Sequence, residues 1–530
     1  MLFSELIAES LDSLIFPFLY ILVLIIVILF VVLFLKTNIK KDLINIFQKR
    51  DLFVFLLVTL AFLFLRKSMV QPQFVMYTDE GYYVKQGRMI YENGFFEIER
   101  LTRSLGWSFL IALSLKISYT MNSILILNQV LFIIGGFILF ILAKKISKST
   151  WIALISVLFF VFYAGGFFWS TTADNFIAAG VFLLVSILFF FNYIKTDKKI
   201  YFYLATAFLG FSSVIRRELF IVFLPLIAVP FFFQNGRRNV EKRKNKMLFL
   251  WTLFIFILLF PALLHEFQYY NTGDFLSRES HGKFEGSSFS LKNLIYNTKT
   301  FLPVFLKQDY FPISLTIFFI CSLPLLIKER SRKSRDYAFF FFCFLTFLSL
   351  IFISFFSWFQ TLGGSLLLWP KTKFFWLISI PMILFSIIFL KWINELKIKK
   401  SFVKNAIKIS LLFIVLFSLR SPMLTIKSDF SVSRNVLQFR LTDLVNEYLK
   451  ENNLTDAVIF TPFSELVPLT PQAETITNLS SINDERFGLF LFDFSCNYNQ
   501  KLCEEMRIKS GEKVKDFNLK EVTFSLYNTQ

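Results

Sequence analysis

Long apolar stretches recur along the chain, and short polar segments separate them. A helix needs about 20 predominantly apolar residues to cross the hydrocarbon core of a bilayer. Stretches near that length predict about twelve transmembrane helices, at roughly 13–35, 52–65, 122–142, 151–168, 176–194, 200–215, 218–234, 247–266, 309–327, 337–357, 373–390 and 403–419. The apolar segment 104–117 is shorter, and its Trp107 favours a helix lying at or re-entering the outer membrane interface.

Composition narrows the class of protein. Hydrophobic residues fill 55% of the 530 positions, 75 residues are Phe, and only 18% are charged. A soluble enzyme of this length would need more polar surface, and a disordered chain would be far less apolar. The 18 glycines and the lack of long alternating strands argue against an outer-membrane barrel. The sequence therefore predicts an all-α polytopic membrane protein over most of its length.

The basic residues indicate which way the helices run. The formal net charge is +19, from 56 basic and 37 acidic residues. About half of the basic residues fall in six alternate loops, at 36–50, 144–148, 195–199, 237–246, 328–335 and 391–404. The positive-inside rule places these loops in the cytoplasm. Because the basic residues are dispersed over six loops, we interpret the charge as a topology signal and expect no nucleic-acid partner.

The tail of the chain differs from the rest. After about position 421 Phe becomes rarer and charges interleave, with Val445 and Leu449 fitting one face of a helix and with strand patterns at 457–460, 487–494 and 522–527. This predicts a small soluble α/β domain on the extracytoplasmic side. The expected division is an extra N-terminal transmembrane helix with a basic cytoplasmic loop (1–50), a transmembrane core (51–420) with the external loop 68–103, and the soluble domain (421–530).

The cysteines and histidines in the sequence give little indication of a catalytic or metal-binding function. Cys496 and Cys503 lie close together in the predicted outer domain, where an oxidising compartment would permit a disulfide that spacing alone does not prove. The two remaining cysteines fall in predicted spans and are expected to pack as small apolar residues. The only histidines, His265 and His281, match no metal-binding spacing, so we assign no metal ligands.

An acidic and aromatic cluster lies just beyond the predicted outer end of the second span. It contains Asp79, Glu80, Tyr82 and Tyr83. Adjacent carboxylates at a membrane boundary repel each other and are partly desolvated, which suits a general base or a cation ligand. Tyrosine rings can stack on a sugar or lie in the interfacial aromatic belt. The alternative is a solvated acidic helix start with Asp79 near the N-cap.

Three further polar groups lie at predicted outer ends of helices. Asp174 precedes a span, where it is either a site residue or a helix cap. Arg216 and Arg217 fall at an outward turn and can bind phosphate, although an Arg–Glu surface pair would explain them equally well. Lys371 and Lys373 precede another span, either as phosphate ligands or as interfacial lysines that extend towards water. The spans themselves hold almost no charges, which argues against a proton pump or voltage sensor.

The order of these features resembles that of the integral-membrane glycosyltransferases of the GT-C superfamily, nearest the protein O-mannosyltransferase and aminoarabinose-transferase type. Four segments carry the resemblance over roughly 50–420, with 269–274 a weaker fifth: Asp79-Glu80-Gly81-Tyr82-Tyr83, 103–110, Thr172-Ala173-Asp174 and 371–381. The last departs from the family pattern, because lysine replaces the usual arginine and the prolines are only partly kept.

The resemblance implies a GT-C-like catalytic domain that uses a polyprenyl-phosphate-linked sugar on the extracytoplasmic face of the plasma membrane. Asp79 would be the general base, and Glu80 and Asp174 would position hydroxyl groups. The arginines and lysines named above would hold the phosphate, and Tyr82 and Tyr83 would contact substrate. No cofactor is assigned, and a divalent cation is an open alternative. The acceptor would be a protein, a lipid or a glycan, and membrane lipids are expected partners.

Two other readings stay open from the sequence. A multi-pass transporter or lipid flippase would make no bonds and would need polar residues or broken helices near mid-membrane, of which the sequence shows few. A polysaccharide polymerase or ligase of the cell envelope would also use lipid-linked sugars outside the cell, and the acidic pair separates it poorly from a monosaccharide transferase.

Overall fold

The helices form one bundle, and a small mixed sheet follows them. A computed structural model describes residues 19, 21–33, 49–69, 78–93, 105–232, 247–259, 294–295, 297–299, 302–330, 335–357, 372–396, 401–432, 438–454, 457–461, 469–471, 473–475, 488–492, 500–519 and 522–529. At some ends of these segments only the backbone is described, and this applies to Asp79 and Lys373.

Seventeen α-helices account for most of this part of the chain. In chain order they are α1 Ile21–Leu33, α2 Lys49–Met69, α3 Thr78–Asn93, α4 Leu105–Ile117, α5 Met121–Ser147, α6 Thr150–Val161, α7 Ala164–Trp169, α8 Phe176–Thr196, α9 Lys199–Ile215, α10 Phe223–Phe232, α11 Met247–Leu259, α12 Ile313–Arg330, α13 Arg335–Ser357, α14 Thr372–Glu395, α15 Ser401–Val432, α16 Gln438–Glu451 and α17 Gln500–Ile508. Two 3₁₀ helices, Arg217–Val222 and Leu302–Leu306, connect some of them.

The apolar helices make this a multi-pass membrane protein. Five segments in the described part are long and apolar enough to cross a bilayer, within α5, α8, α13, α14 and α15. Six shorter apolar helices accompany them, within α1, α4, α6, α9, α11 and α12. The predicted all-α membrane class is confirmed, and the total of twelve spans stays a prediction.

The span predicted as one helix over 151–168 is in fact broken. Helix α6 ends at Val161, and Tyr163 adopts an extended conformation (φ −67°, ψ 122°) before α7 begins. The break brings Gly166 against the indole of Trp376 on α14, where a Cβ atom at position 166 would lie only 2.2 Å from the indole Nε1. The close approach of these two helices therefore depends on a residue without a side chain.

Segment 104–117 forms a helix as predicted. Helix α4 packs against the bundle and Trp107 is fully buried within the protein, while its position relative to the membrane interface stays a prediction. Gly106 brings α4 against the end of α9, because a Cβ at that position would come within 2.8 Å of the Ile215 side chain. The contact places α4 beside the turn that holds Arg216.

Ion pairs cluster at one end of the bundle. Lys144, in the last turn of α5, pairs at 3.0 Å with the fully buried carboxylate of Asp51, which lies in the first turn of α2. Asp336 at the start of α13 pairs with Lys195 on α8 and at 3.4 Å with Lys391 on α14. Basic segments that the sequence assigned to three separate cytoplasmic loops thus lie at the same end of helices that pack side by side.

The tail forms the small α/β domain predicted from the sequence. Strands β1 Val458–Thr461, β2 Ala473–Thr475, β3 Gly488–Phe492, β4 Ser510–Leu519 and β5 Val522–Thr529 form one sheet in the order β2-β1-β3-β5-β4. Strand β1 is parallel to β2 and β3, and β5 is antiparallel to β3 and β4. Val445 and Leu449 on α16 are buried, as their spacing predicts. Strands β2 and β4 and helix α17 were not predicted.

The cysteines agree with the predicted division of environments. Cys503 on α17 is disulfide-bonded. The other member of the predicted pair, Cys496, lies outside the described residues. Cys321 and Cys343 carry free thiols within α12 and α13, and Cys343 is buried.

Candidate active site

The centre of the candidate site is the loop 170–175, between α7 and α8. All six of its residues are buried. The hydroxyl groups of Ser170, Thr171 and Thr172 donate to the carbonyl oxygens three residues earlier, at 2.6–3.0 Å. These bonds satisfy hydroxyl groups that would otherwise be costly to bury. The loop is therefore held in one conformation by its own side chains.

Asn128 on α5 holds the same loop from the opposite side. Its Nδ2 lies 2.8 Å from the carbonyl oxygen of Thr172 and 3.3 Å from those of Trp169 and Asp174. The side chain is fully buried. An amide in an apolar helix thus provides donors to carbonyl groups that the irregular loop leaves outside any helix.

Glu80 reaches the loop from the first turn of α3. Its Oε2 accepts the backbone N–H of Ala173 at 3.2 Å, and the side chain is fully buried. The carbonyl group of Ala173 accepts the indole N–H of Trp107 at 2.6 Å. The backbone N–H of Ala173 therefore joins the loop to α3, and its carbonyl group joins the loop to α4.

Asn175 joins three separate segments. Its Nδ2 donates to the hydroxyl oxygen of Tyr83 and to the carbonyl oxygen of Ile215, both at 2.9 Å. Its Oδ1 accepts from Nη1 of Arg216, also at 2.9 Å. Asn175 is buried, so its bonds to Tyr83 and Ile215 form away from water, and the bond from Arg216 is partly buried. The chain of contacts links α3, the loop and the turn after α9.

Arg216 lies within this network, with 11% of its side chain exposed. Its Nη2 lies 2.6 Å from Oε1 of Glu218, and its guanidinium stacks 3.6 Å from the ring centroid of Phe176. It also lies 5.2 Å from the ring of Phe374, in the first turn of α14. The Arg–Glu pair considered from the sequence exists, but it is buried and does not lie on the surface.

The electrostatics favour negative charge at this end of the bundle. Burial acts to raise the pKa of Glu218, but the guanidinium groups of Arg216 and Arg217 overcome it and lower that pKa below its ordinary value. The N-termini of α3 and α8 meet here, and the N-terminus of α14 joins them through the 4.5 Å contact between Phe176 and Phe374. Helix N-termini carry partial positive charge and stabilise carboxylates and phosphates.

Asp174 supports the start of α8 from the position before the N-cap residue, Asn175. Its Oδ1 accepts the backbone N–H of Phe176, the first residue of α8, at 3.3 Å. Burial acts to lower the pKa of the Arg216 guanidinium, but Glu218, Tyr83 and Asp174 outweigh it and raise that pKa. A carboxylate that supports a helix start and lies near a guanidinium can still be a site residue, so the two readings of Asp174 are compatible.

The structure brings together four of the residues chosen from the sequence: Glu80, Tyr83, Asp174 and Arg216. Tyr82 and Arg217 are partly exposed beside them in the chain. Asp79 and Lys373 lie in the first turns of α3 and α14, and their side chains fall outside the described residues. The described residues also exclude Lys371, His265 and His281.

Three members of the network were missed as site residues. Asn128 and Asn175 are single amides beside apolar runs, and Trp107 resembles an interfacial aromatic residue. The signal for Asn175 was its position next to Asp174, and the signal for Asn128 was a polar side chain within the apolar helix α5. Such residues in a membrane helix usually have a partner, which is the inference the sequence permitted.

No metal cluster is found within the part of the chain that the structure describes. No group of three or more His, Cys, Asp or Glu side chains among those residues could hold a metal ion. The carboxylate of Asp79 is not among them. The divalent cation considered from the sequence therefore stays an open alternative.

Known proteins support the resemblance inferred from the sequence. A family model described as dolichyl-phosphate-mannose-protein mannosyltransferase matches residues 102–265, a segment that includes Trp107, the loop 170–175 and Arg216. This confirms the resemblance to GT-C glycosyltransferases over less than half of the chain. No curated protein matches the chain.

Two solved structures are similar to the chain. One is ArnT from Cupriavidus metallidurans in the apo state, with 10% sequence identity, a TM-score of 0.49 and coverage of 90% of this chain and 97% of that chain. The other is the same protein bound to undecaprenyl phosphate, with 10% identity, a TM-score of 0.46 and the same coverage.

Proposed function

We propose that the protein is a membrane glycosyltransferase that transfers a monosaccharide from a polyprenyl-phosphate donor to an acceptor hydroxyl on the extracytoplasmic face. The observation that carries the proposal is the buried network in which Glu80, Asp174 and Arg216 meet around one loop. It lies at the end of the bundle opposite the clustered ion pairs, and the family match covers its central segment.

Glu80 and Asp79 would have different roles. Glu80 is fully buried and bonded to the Ala173 backbone, which suits a residue that positions the loop and the substrate. Asp79 precedes it by one position at the N-terminus of α3, where the helix dipole keeps a carboxylate ionised. An ionised carboxylate at a helix start can accept a proton, so we assign Asp79 as the general base.

The reaction is an inverting displacement. The acceptor oxygen attacks the anomeric carbon from the face opposite the phosphate and forms the new glycosidic bond. The bond between the anomeric carbon and the phosphate oxygen breaks, and polyprenyl phosphate leaves with the electron pair. The acceptor proton passes to Asp79. All atoms and charges are accounted for without an added oxidant or reductant.

The leaving phosphate needs positive charge close to it. Arg216 is paired with Glu218 and bonded to Asn175, so we assign it to holding the loop. Arg217, together with Lys371 and Lys373 near the start of α14, would contact the phosphate. The N-termini of α3, α8 and α14 add partial charges that stabilise an anion as it develops. An apolar bundle suits a donor whose carrier is a polyprenyl chain.

The test is transfer of a labelled sugar by the purified full chain. Asp79→Asn should lower the rate of transfer from a radiolabelled polyprenyl-phosphate sugar by about 100-fold or more, because general-base catalysis contributes on that order. Glu395→Gln, which neutralises an exposed carboxylate at the other end of α14, should leave the rate unchanged.

Two results would count against the proposal. An Asp79→Asn enzyme that transfers sugar at the wild-type rate would remove the base from the mechanism. Movement of labelled lipid across the membrane without a glycosylated product would instead favour the transporter or flippase. Analysis of product length separates a monosaccharide transferase from a polymerase.

A further inference from the structure

A cavity lies between the membrane bundle and the C-terminal domain, away from the network around the loop 170–175. Its volume is about 390 Å³, within the range of about 300–1,000 Å³ that is usual for small-ligand sites. One wall is the turn 118–120 between α4 and α5, and the other is α16 with the segment 469–471. Six of its lining residues carry the argument: Tyr119, Asp443, Asn446, Glu447, Lys450 and Leu469.

Helix α16 presents a continuous polar stripe to this cavity. Asp443, Asn446, Glu447 and Lys450 follow the spacing i, i+3, i+4 and i+7, which places them on one helical face. The opposite face carries buried Val445 and other apolar residues that pack into the domain. Asp443 and Asn446 are half-buried and Glu447 and Lys450 are exposed, and this face lies across an open cavity from the turn at the start of α5.

Hydrogen bonds from both domains fix the shape of the cavity. The carbonyl oxygen of Leu469 accepts from Nδ2 of Asn446 at 2.8 Å, and the hydroxyl oxygen of Tyr119 lies 3.4 Å from it. The carboxylate of Asp443 accepts the backbone N–H of Met121, the first residue of α5. Contacts between the two domains therefore hold the walls of the cavity in place.

Asp443 is in an unusual environment for an acid at a protein surface. Burial raises its pKa, the bond from the Met121 backbone opposes that shift, and the neighbouring Glu447 adds to it. A partly desolvated carboxylate gains from a hydroxyl donor that replaces lost water. The ligand of this cavity should therefore supply hydroxyl groups.

We propose that this cavity binds the sugar rings of a glycan. Carboxylate and amide oxygens accept from ring hydroxyl groups, and the Lys450 ammonium and the Asn446 amide donate to them. The Tyr119 ring offers an apolar face, and the Tyr91 ring packs against it at a centroid distance of 5.3 Å. An apolar chain would displace water from the carboxylates without replacing its hydrogen bonds, and an anionic ligand would be repelled by Asp443 and Glu447.

The cavity is connected to α3, which carries the proposed catalytic acids. The Tyr119 hydroxyl donates to Glu92 at 2.8 Å, and Glu92 pairs with Arg88 at 3.4 Å. Glu80 and Glu92 lie at opposite ends of α3, about 18 Å apart along the helix. A glycan of several sugar residues could occupy the cavity while its end reaches the network. This step rests on the proposed function and assigns the acceptor to the glycan class.

The experiment measures sugar binding without any donor. Saturation-transfer NMR on the full chain in lipid nanodiscs would use three probes: cellobiose, N,N′-diacetylchitobiose and glucuronic acid. At least one of the two uncharged disaccharides should bind, and glucuronic acid should not. Asn446→Ala and Glu447→Gln should each weaken binding about tenfold, which is on the order of the usual cost of losing one hydrogen-bond partner. Tyr119→Phe keeps the ring and should bind more tightly than Tyr119→Ala.

The matched control is Glu451→Gln, which changes an exposed carboxylate at the end of the same helix outside the cavity. It should bind as the wild type does. The unfolding temperature of each variant checks that the domain is intact, and a variant that unfolds is replaced by the milder Lys450→Gln. Binding of neither disaccharide to the wild type, or equal binding by all folded cavity variants, would overturn the proposal.

The two proposals fail separately. An Asp79→Asn protein should bind the disaccharide as the wild type does, because Asp79 lies at the end of α3 opposite Glu92, which contacts Tyr119 of the cavity. Sugar binding with no transfer from any lipid-linked donor would remove the transferase and leave the glycan site. Transfer that proceeds with no sugar binding at the cavity would remove the glycan site and leave the transferase.

Discussion

At the scale of single residues, the site depends on amides and backbone groups as much as on acids. Asn175 uses both ends of its amide, since it donates to Tyr83 and Ile215 and accepts from Arg216. No charged side chain could replace it, because a carboxylate only accepts and an ammonium only donates. The orientation of Arg216 relative to the loop therefore follows from one neutral residue.

One substitution tests this requirement for an amide at position 175. Asn175→Asp keeps the shape but turns the donating end into an acceptor that faces the carbonyl oxygen of Ile215. We expect a loss of stability of about 1–3 kcal/mol, the usual cost of a buried unsatisfied group, with a parallel loss of transfer. Thermal unfolding in detergent measures the first and the labelled-sugar assay the second.

The matched control lies at the other end of the same helix. Asn192 accepts from Lys145 at 3.2 Å, so Asn192→Asp retains the acceptor and adds a favourable charge. We expect its stability to be unchanged or slightly raised. Equal destabilisation by both substitutions would mean that the Asn175 network has no special role.

For single residues, the sequence identified the charged side chains of the site but not the neutral side chains that bond to them. Glu80 and Asp174 were identifiable because ionised groups are rare among apolar helices and their positions lie at helix starts. Asn128 and Trp107 were not identifiable as site residues, because their role depends on the path of a loop from another part of the chain. The sequence records residue type, but these contacts depend on tertiary geometry.

At the scale of helices and strands, the packing of α14 against the broken helix orders the site. Trp376 is fully buried and lies against Gly166 on α7 and Gly180 on α8. A Cβ at position 180 would lie 2.7 Å from its ring. The two glycines thus bring the start of α14, with Phe374, next to Phe176 and Arg216.

Gly166→Ala should therefore loosen the bundle around the site. The new methyl group would lie 2.2 Å from Nε1 of a rigid indole, so α7 or α14 must move. We expect a loss of about 1–3 kcal/mol, as overpacking usually costs, and partial rescue by Trp376→Phe. Gly136→Ala is the control, because the closest contact of its Cβ would be 3.3 Å, to a Val161 methyl group. Unfolding temperatures in one detergent compare the variants, and equal losses would contradict the packing argument.

Regular elements were predictable where their pattern is simple. The apolar run of α8 and the apolar strand β3 match their predicted positions closely. Strand β4 was missed because its ten residues are mostly polar and lie at the edge of the sheet, where one side pairs only with β5. The break after Val161 was missed because apolar residues continue on both sides of it, and hydrophobicity alone does not report backbone direction.

At the scale of the whole molecule, the candidate site lies at one end of the bundle and the paired basic residues lie at the other. Asn128 contacts the loop of the candidate site, and Lys144 pairs with Asp51 about 24 Å further along α5. That separation approaches the thickness of a bilayer core, which is about 30 Å. The network and the glycan cavity lie towards one membrane face, and the basic segments lie towards the other.

This arrangement predicts the result of labelling in intact cells. The background would carry Cys321→Ser and Cys343→Ser, which remove the two free thiols of the described residues, while Cys503 stays bonded. Glu451→Cys, exposed beside the glycan cavity, should react with a membrane-impermeant maleimide on intact cells. Lys198→Cys, exposed between α8 and α9 at the basic end, should react only after permeabilisation, because the positive-inside rule places its loop in the cytoplasm. The background without an added cysteine should stay unlabelled. The reverse pattern would place the carboxylates in a compartment with soluble nucleotide sugars, and the need for a lipid-linked donor would disappear.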